Sequence, residues 1–337
     1  MKVIVQIPCF NEAETLPLVF EGMPRSIPGV DVLEYQIIDD GSTDNTVEVA
    51  RRLGVHHVVR IPGRNRRWLG RAFKAGVDHA LRQGADILVN TDGDNQYPSS
   101  YIPALVKPIV EGDFAIVIGD RNPGRLREFS LVKRLLQRLG SRTVQFFTGE
   151  SVADAVSGFR AYSRDALLRI HVVTNFTYTV DTLMQAQSKG LDIAWLPIEP
   201  NSKTRESRLI TNVFQKVRKS GATIVRLATA YAPFRTLGAL SLVFFLPALF
   251  YIGRFLYIYF FIPGEGSGNI QSLVIAGAFL VIGVQLLLFG FIGELLAVNR
   301  SLSEDLLTRV RSLELSTQAP SVELGEVIAP VRRMHER

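Results

Sequence analysis

One cysteine, five histidines and two tryptophans occur in 337 residues. Cys9 has no second thiol, so no internal disulfide can staple the fold, which suits a reducing compartment. The histidines are scattered. The adjacent His56 and His57 would face opposite sides of a strand, and no zinc-type spacing is present. No Gly-x-Gly-x-x-Gly follows the first apolar run and no Gly-Lys-Ser/Thr loop occurs. A phosphate held chiefly on a glycine-rich helix start is therefore excluded. The opening Met1-Lys-Val-Ile-Val-Gln-Ile-Pro8 is too short for the apolar part of a signal segment, and charge returns at Glu12. This end is not expected to cross a membrane. The composition also excludes collagen-like, low-complexity and disulfide-scaffold classes.

What is present is uneven. The chain has 38 basic and 32 acidic residues, a net charge of +6, 21% charged residues and 47% hydrophobic ones. Its mean hydropathy is nevertheless +0.17. The two tendencies separate along the chain. Leu237 to Gly253 carries no charge; after Arg254 the apolar character resumes as Phe255-Leu-Tyr-Ile-Tyr-Phe-Phe261. Ile270 to Gly293 is a further 24 residues without a charge. About 20 apolar residues span a bilayer. With the breaker-rich Pro263-Gly-Glu-Gly-Ser-Gly-Asn269 between them, the two runs read as a transmembrane hairpin rather than buried core helices. The stretch from Lys203 to Arg235 holds eight basic residues against Glu206 alone, and the hairpin loop has Glu265 and no Lys or Arg. The positive-inside rule places the loop outside and both termini in the cytoplasm. Arg254, Tyr251, Tyr257 and Tyr259 are placed to anchor the outer interface. Leu209, Ile210, Val213, Phe214 and Val217, with Lys216, Arg218 and Lys219 among them, read as a basic amphipathic segment lying on the membrane. Residues 302–315 read as one more amphipathic helix, followed by a mobile polar tail.

Before residue 210 strands and helices alternate, which implies a parallel sheet covered on both faces, with ligands beyond the carboxyl ends of the strands. Strands are expected at 2–7, 35–38, 57–61, 86–90 and 114–118, and helices at 14–22, 43–54, 68–83 and 100–111. Four of these five strands end in acids or polar groups: Pro8-Cys9-Phe10-Asn11-Glu12, Asp39-Asp40-Gly41-Ser42-Thr43-Asp44, Asp92-Gly93-Asp94-Asn95-Gln96 and Gly119-Asp120-Arg121. A single Asp after a strand is ordinarily a turn or a cap. Their concentration at one edge points to a site. Asp92-Gly93-Asp94 can present two carboxylates to a hard divalent cation that bridges to phosphate oxygens.

These motifs resemble family 2 glycosyltransferases and, more narrowly, the polyprenyl-phosphate branch: dolichol-phosphate mannose synthase and the bacterial polyprenyl-phosphate glucosyl and aminoarabinosyl transferases. Pro8-x-Phe10-Asn11-Glu12 is similar to that family's first motif, and Asp39-Asp40-Gly41-Ser42-Thr43-Asp44-Asn45-Thr46 to its second. Asp92-Gly93-Asp94-Asn95-Gln96-Tyr97-Pro98 stands where Asp-Ala-Asp-Leu-Gln-His-Pro is common. Gly119-Asp120-Arg121 resembles Gly-Ser-Arg, and Asp154-Ala-Val-Ser157-Gly158-Phe159-Arg160 a later Asp-x-x-Ser-Gly-Phe-Arg. The resemblance implies an α/β GT-A (Rossmann-like) nucleotide-sugar-binding domain over 1–208. Basic amphipathic helices follow at 209–235, two transmembrane helices in 236–298 (about 236–261 and 270–294), and a cytoplasmic helix and tail at 299–337. It implies donor contacts from Pro8, Phe10, Glu12, Asp39, Asp40, Asp92, Gln96, Arg205 and Arg208. It also implies Mg²⁺ or Mn²⁺ on Asp92, Asp94 and Gln96, and catalytic parts for Asp94, Asp154 and Arg121. The reaction implied is inverting transfer of one hexose, with UDP-glucose and GDP-mannose as leading donors, to polyprenyl phosphate at the cytoplasmic face of an inner membrane.

Chemistry limits these roles. A sugar hydroxyl acceptor needs a general base, whereas a lipid phosphate is already ionised. It needs positive charge instead, so Asp154 is free to orient a group rather than take a proton. Arg121, Lys133, Arg134 and Ser157 are the acceptor-side candidates; Lys133 and Arg134 belong to a basic, apolar-interleaved segment from Arg125 to Arg142 that reads equally as a solvated helix face. Cys9 has no partner base and is not a nucleophile. Arg64 replaces the Gln of a processive Gln-x-x-Arg-Trp motif before Trp68, against a polymerase, and Trp195 reads as strand packing. A transferase with a glycolipid or polysaccharide acceptor is the second reading. A scaffold or nucleic-acid binder leaves the clustered acids unexplained, so no nucleic acid is expected as partner. The helix after the hairpin permits self-association.

Overall fold

The computed structural model describes residues 1–61, 69–121, 154–172, 178–201, 229, 232–262, 270–317 and 326–328. Strand β1 (Lys2–Cys9) pairs in parallel with β2 (Val32–Asp39) on one side and β4 (Ile87–Asn90) on the other. Val3, Ile4, Val5 and Ile7 are all fully buried, so both faces of β1 are covered. A strand buried on both faces reads as a near-continuous apolar run. Strand β3 (His57–Arg60) extends the sheet beside β2. Beyond β4 lie β5 (Ile116–Asp120), β6 (Arg160–Ser163) and β7 (Ile193–Pro197), and β8 (Glu326–Ile328) pairs with β3. The sheet order is β7-β5-β6-β4-β1-β2-β3-β8.

Helices α1 (Leu16–Glu21), α2 (Thr46–Arg52) and α4 (Ile102–Val110) belong with one sheet face and α3 (Leu69–Arg82) with the other. Val3, Val5, Ile87 and Val89 pack on Ile102, Leu105 and Val106. Ile7 and Ile37 pack on Leu16, Val19, Val47 and Ala50, while Ile38 and Val59 meet Ala72 and Ala75 of α3. Two short helices, α5 (Arg164–Arg169) and α6 (Thr179–Ser188), complete this part.

Three expectations are corrected. The sheet is mixed, because β6 runs antiparallel to both β4 and β5 and separates them. It is a core strand, with Ala161 and Tyr162 fully buried. Helix α2 starts at Thr46 rather than Thr43: Ser42 and Thr43 are tied to Asn11, and Asp44 Oδ1 accepts from the Thr46 N–H at 3.0 Å. The tail is not wholly without structure, since Glu326–Ile328 forms an edge strand.

The chain divides into two compact units, one of Met1–Lys219 with Asp305–Arg337 and one of Ser220–Glu304. The second unit contains α7 (Pro233–Phe261, 29 residues) and most of α8 (Ile270–Thr317, 48 residues). Both are long and apolar enough to cross a membrane. They meet where glycine removes bulk: a Cβ at Gly293 would lie 2.6 Å from Pro233 Cβ, and one at Gly283 3.0 Å from the Phe245 ring. Small residues at such contacts let apolar helices approach closely. Leu242, Val243, Leu246, Leu249, Phe250, Val274, Val281 and Leu288 point outward and are exposed. Buried core helices would hide them. Arg254 Nη1 donates to Ser272 Oγ at 2.6 Å. Helix α8 does not stop at its apolar run; no breaker follows, and the Arg300–Glu304 pair at 2.8 Å carries it onward.

At the edge where the strands begin, His79 of α3 is 7% exposed and lies edge-on to His57, ring centroids 5.0 Å apart. Burial, with the charges of His57 and Arg82, lowers its pKa to about 4, against opposing help from Glu34. Native His79 is thus neutral where the unfolded residue, near 6.5, takes a proton. Its contribution to stability is complete above about pH 6.5 and is lost as pH falls toward 4. Between pH 7.5 and 5.0 the wild type should lose about 2 kcal/mol more than His79→Gln, measured by thermal unfolding in detergent; equal losses would contradict this.

Candidate active site

The ends of β1 and β2 are stitched together. Asn11 has a φ of +56°, a left-handed backbone that asparagine tolerates. Its N–H donates to Ser42 Oγ at 3.0 Å, and its Oδ1 accepts from the Thr43 N–H at 2.8 Å. The Asp40 N–H donates to the Cys9 carbonyl at 3.0 Å. Asp39 is fully buried; its Oδ1 accepts from the Ser42 N–H at 2.9 Å and its Oδ2 from Arg60 Nε at 3.0 Å. Asp39 therefore shapes the turn that presents the half-buried Asp40. Pro8 and Phe10 flank Cys9 on the same rim.

Glu12 joins this rim to the end of β4. Its N–H donates to Thr46 Oγ1 at 2.8 Å. The Thr15 hydroxyl lies 2.7 Å from both Glu12 Oε2 and the Gly93 carbonyl, and its single proton serves one of them at a time. Gly93 is close-packed: a Cβ there would sit 3.2 Å from Cys9 Sγ and 3.2 Å from Glu12 Cγ. The turn continues through Asn95, at φ +58°, with the Gln96 N–H donating to Asp94 Oδ1 at 3.2 Å. Asn201 holds it from the far side, donating its N–H to the Gln96 carbonyl at 3.0 Å. Asp92 is pushed up to about 7, first by burial and then by the Asp94 charge, with Arg121 opposing and Glu12 adding. Two carboxylates crowd one place, and no third His, Cys, Asp or Glu among the described residues completes a metal cage with them.

The opposite wall is the segment before β6. Arg121, directly after β5, grips Asp154 with two parallel bonds, Nε to Oδ2 at 2.7 Å and Nη2 to Oδ1 at 3.0 Å. Bidentate pairing of this kind fixes orientation as well as charge. The same guanidinium lies 5.7 Å from the Tyr97 ring centre. Tyr97 stacks on Phe159 at 5.2 Å and accepts the Gly158 N–H at 3.0 Å; burial pushes its hydroxyl up to about 12. Ser157 is fully buried, and its Oγ has no hydrogen-bond partner among the described residues. Gly158 fits against Asp92: a Cβ there would lie 3.3 and 3.4 Å from the two carboxylate oxygens.

Arg160, which closes the last motif but was assigned no part, and residues outside the motifs hold this wall in place. Arg160 is buried, and its guanidinium donates to the carbonyls of Ser157 (2.7 Å), Thr179 (2.8 Å) and Ala155 (3.0 Å) and to Thr182 Oγ1 (2.9 Å). A ladder of buried amides crosses the sheet. Gln36 Nε2 donates to the Gly76 carbonyl at 2.9 Å and to Gln6 Oε1 at 3.1 Å. Gln6 Nε2 donates to Asn90 Oδ1 at 2.7 Å. Asn90 Nδ2 donates to the Gly158 carbonyl at 2.9 Å and to the Tyr178 hydroxyl at 2.7 Å. Tyr178 lies flat on Phe73, centroids 4.2 Å apart. The visible signal was a polar residue at a buried place in an apolar strand: Gln6 in Val-Ile-Val-Gln-Ile and Asn90 closing Ile-Leu-Val-Asn.

Asp94, Arg121 and Glu12 thus all act on the charge of Asp92, with Asp154 gripped by Arg121 and Gln96 on the Asp94 turn. Lys133, Arg134, Arg205 and Arg208 lie outside the described residues, as does Trp68.

Residues 4–170 match the family model described as Glycosyl transferase family 2. The chain carries a glycosyl transferase family 2 domain. Across 205 residues it is 28% identical to polyprenol monophosphomannose synthase of Mycolicibacterium smegmatis, covering 58% of this chain and 76% of that one. It is 27% identical over 316 residues to glycosyltransferase AglJ of Haloferax volcanii, covering 93% of this chain and 98% of the relative. The glycosyltransferase fold is similar to that of glucosyl-3-phosphoglycerate synthase from Mycobacterium tuberculosis, solved with Mn²⁺, UDP-glucose and phosphoglyceric acid. The TM-score is 0.53 and the identity 22%, over 67% of this chain and 79% of that one.

Asn90→Ala should cost about 2–4 kcal/mol, because Gln6, Tyr178 and the Gly158 carbonyl each lose a buried partner. Thermal unfolding in detergent measures it. A change below about 1 kcal/mol would show that the ladder carries little.

Proposed function

We propose that this glycosyltransferase moves a single hexose from a nucleotide sugar to a polyprenyl phosphate at the cytoplasmic face of a membrane, with inversion at the anomeric carbon. The observation that carries the reading is the crowded pair Asp92 and Asp94, facing Arg121, in a chain that also holds two helices apolar enough to span a bilayer. The name of the Mycolicibacterium smegmatis relative supports the lipid class.

The two carboxylates fit a hard cation shared with the donor. Mg²⁺ typically takes one or two carboxylates and completes its shell from water and phosphate oxygens. Asp92 and Asp94, with Gln96 adjoining, would hold Mg²⁺ or Mn²⁺, and the ion would replace the proton that burial, with the Asp94 charge, favours on Asp92. When bound, it supplies positive charge to the departing diphosphate. The Mn²⁺ and UDP-glucose in the glucosyl-3-phosphoglycerate synthase structure are in keeping with this.

Pro8, Phe10, Glu12 and Asp40 line the rim assigned to the nucleoside, with Asp39 setting the turn; Arg205 and Arg208 are assigned to closing over the donor. An oxygen of the lipid phosphate bonds to the anomeric carbon, and the bond from that carbon to the diphosphate oxygen breaks, its electron pair leaving with the diphosphate. The attacking oxygen carries no proton, so no base is required. This suits Asp154, both of whose oxygens are occupied by Arg121. Asp154 holds Arg121, and Arg121 draws the acceptor phosphate toward a donor of like charge. Lys133, Arg134 and Ser157 are assigned to the acceptor side. UDP-glucose and GDP-mannose are the leading donors.

Asp92→Ala and Asp94→Ala should each lower transfer by at least about 100-fold while membrane insertion is unchanged, assayed with purified protein in lipid. Retained transfer in the double variant would remove the metal role. A panel of labelled nucleotide sugars offered with polyprenyl phosphate should give lipid-linked product with one donor. Product on a glycolipid or polysaccharide, and none on polyprenyl phosphate, would reverse the acceptor assignment.

A further inference from the structure

The end of α8 has two faces, both within the first unit. One is docked. Arg311 pairs with Asp78 of α3 and donates to the Leu167 carbonyl at 3.1 Å, and Thr308 Oγ1 lies 3.0 Å from His171 Nε2. These bonds fix which way the helix is turned. The other face is apolar and bare: Leu306, Val310 and Leu313 are 64%, 50% and 65% exposed, with Leu307 beside them at 53%. Single exposed leucines need no explanation, but a ridge on one face of a helix does. Hydrocarbon does not account for this one. From Arg300 onward Glu304, Asp305, Arg309, Arg311 and Glu314 follow at short intervals, so the segment lies beyond the apolar run.

We propose that this ridge pairs in parallel with the same helix end of a second copy of the chain. The spacing of Leu306, Val310 and Leu313 is that of d, a and d in a heptad repeat. A β-branched residue at a with leucine at d favours two parallel strands. The flanks agree. In the same register Arg309 falls at g and Glu314 at e, five residues on, the two places that meet across a parallel pair. Both are exposed. Each Arg309 would face the partner copy's glutamate at the same position as Glu314, twice about a two-fold axis. The geometry of a membrane supplies the direction, since two copies inserted the same way are related by an axis along the bilayer normal and their α8 ends run parallel. A ridge this short is too weak to pair in dilute solution. Confinement to a bilayer raises the effective concentration that it needs. The proposal rests on insertion of the hairpin and is independent of the donor and acceptor assignments.

The test uses the full chain in lipid vesicles. Cys9 is the sole native thiol and is buried, so an added cysteine reports alone. Under mild oxidation Leu306→Cys, Val310→Cys and Leu313→Cys should form disulfide-linked dimers, and Ser312→Cys, exposed on a different face, should not. Adding Arg309→Glu to Leu313→Cys should lower the dimer fraction about threefold to tenfold, and adding Glu314→Arg as well should restore it. Equal cross-linking at Ser312→Cys, or none at the three ridge positions, would overturn the pairing. So would ridge cysteines that stay monomeric and are shielded from a water-soluble maleimide, which would assign the face to lipid. The readout needs no substrate, so its failure leaves the transfer reaction untouched.

Discussion

Asn90 closes β4 with its amide engaged on both sides, and through it the interior of the sheet reaches the wall of the site. Gln36, Gln6 and Asn90 sit side by side on three neighbouring strands and pass one line of hydrogen bonds from the α3 backbone to Gly158. A buried amide left without partners is expensive, so the line is cooperative in the sense that each member needs the next. It also ends beside Asp92. The distance between the wall and that carboxylate is thereby set by strand register, which a packed sheet does not let drift.

The site built on this frame holds charge in deliberate opposition. Burial first, and then the Asp94 charge, favour a proton on Asp92, while Arg121 stands opposite, oriented by Asp154 and flanked by the Tyr97 ring. Such an arrangement stores affinity for a cation on one side and for an anion on the other. A diphosphate and a lipid phosphate repel each other in water. The transfer proposed above would bring them together, which calls for both signs of charge in one cleft.

Much of this was legible before the structure. The apolar strands and their acidic ends located the edge of the sheet, and the charge-free runs located α7 and α8. What was not legible has physical causes. Strand β6 begins with Arg160, and nothing local shows that a guanidinium can be buried when three carbonyls and a hydroxyl await it. The α2 start was misplaced because Ser42 and Thr43, good caps by type, are held by Asn11 from another loop. Helix α8 outran its apolar stretch because amphipathic spacing resumes after Gly293 with no further glycine and no proline before the helix ends at Thr317. Gln6, Gln36 and Asn90 were passed over because polar residues in strands are ordinarily at the surface. Their partners lie 30 to 88 residues away.

Gly93 occupies the position where the family that this chain resembles commonly carries alanine. Here the missing methyl would press on Cys9 and Glu12 at once. The space between the two acids and the space behind the first motif are therefore a single volume shared by separate stretches of sequence. A lineage that gains a methyl at position 93 must yield room at position 9 or bend the glutamate away. Drift at one position is bound to drift at the other, and a residue with no chemical part in the reaction sets how its neighbours can evolve.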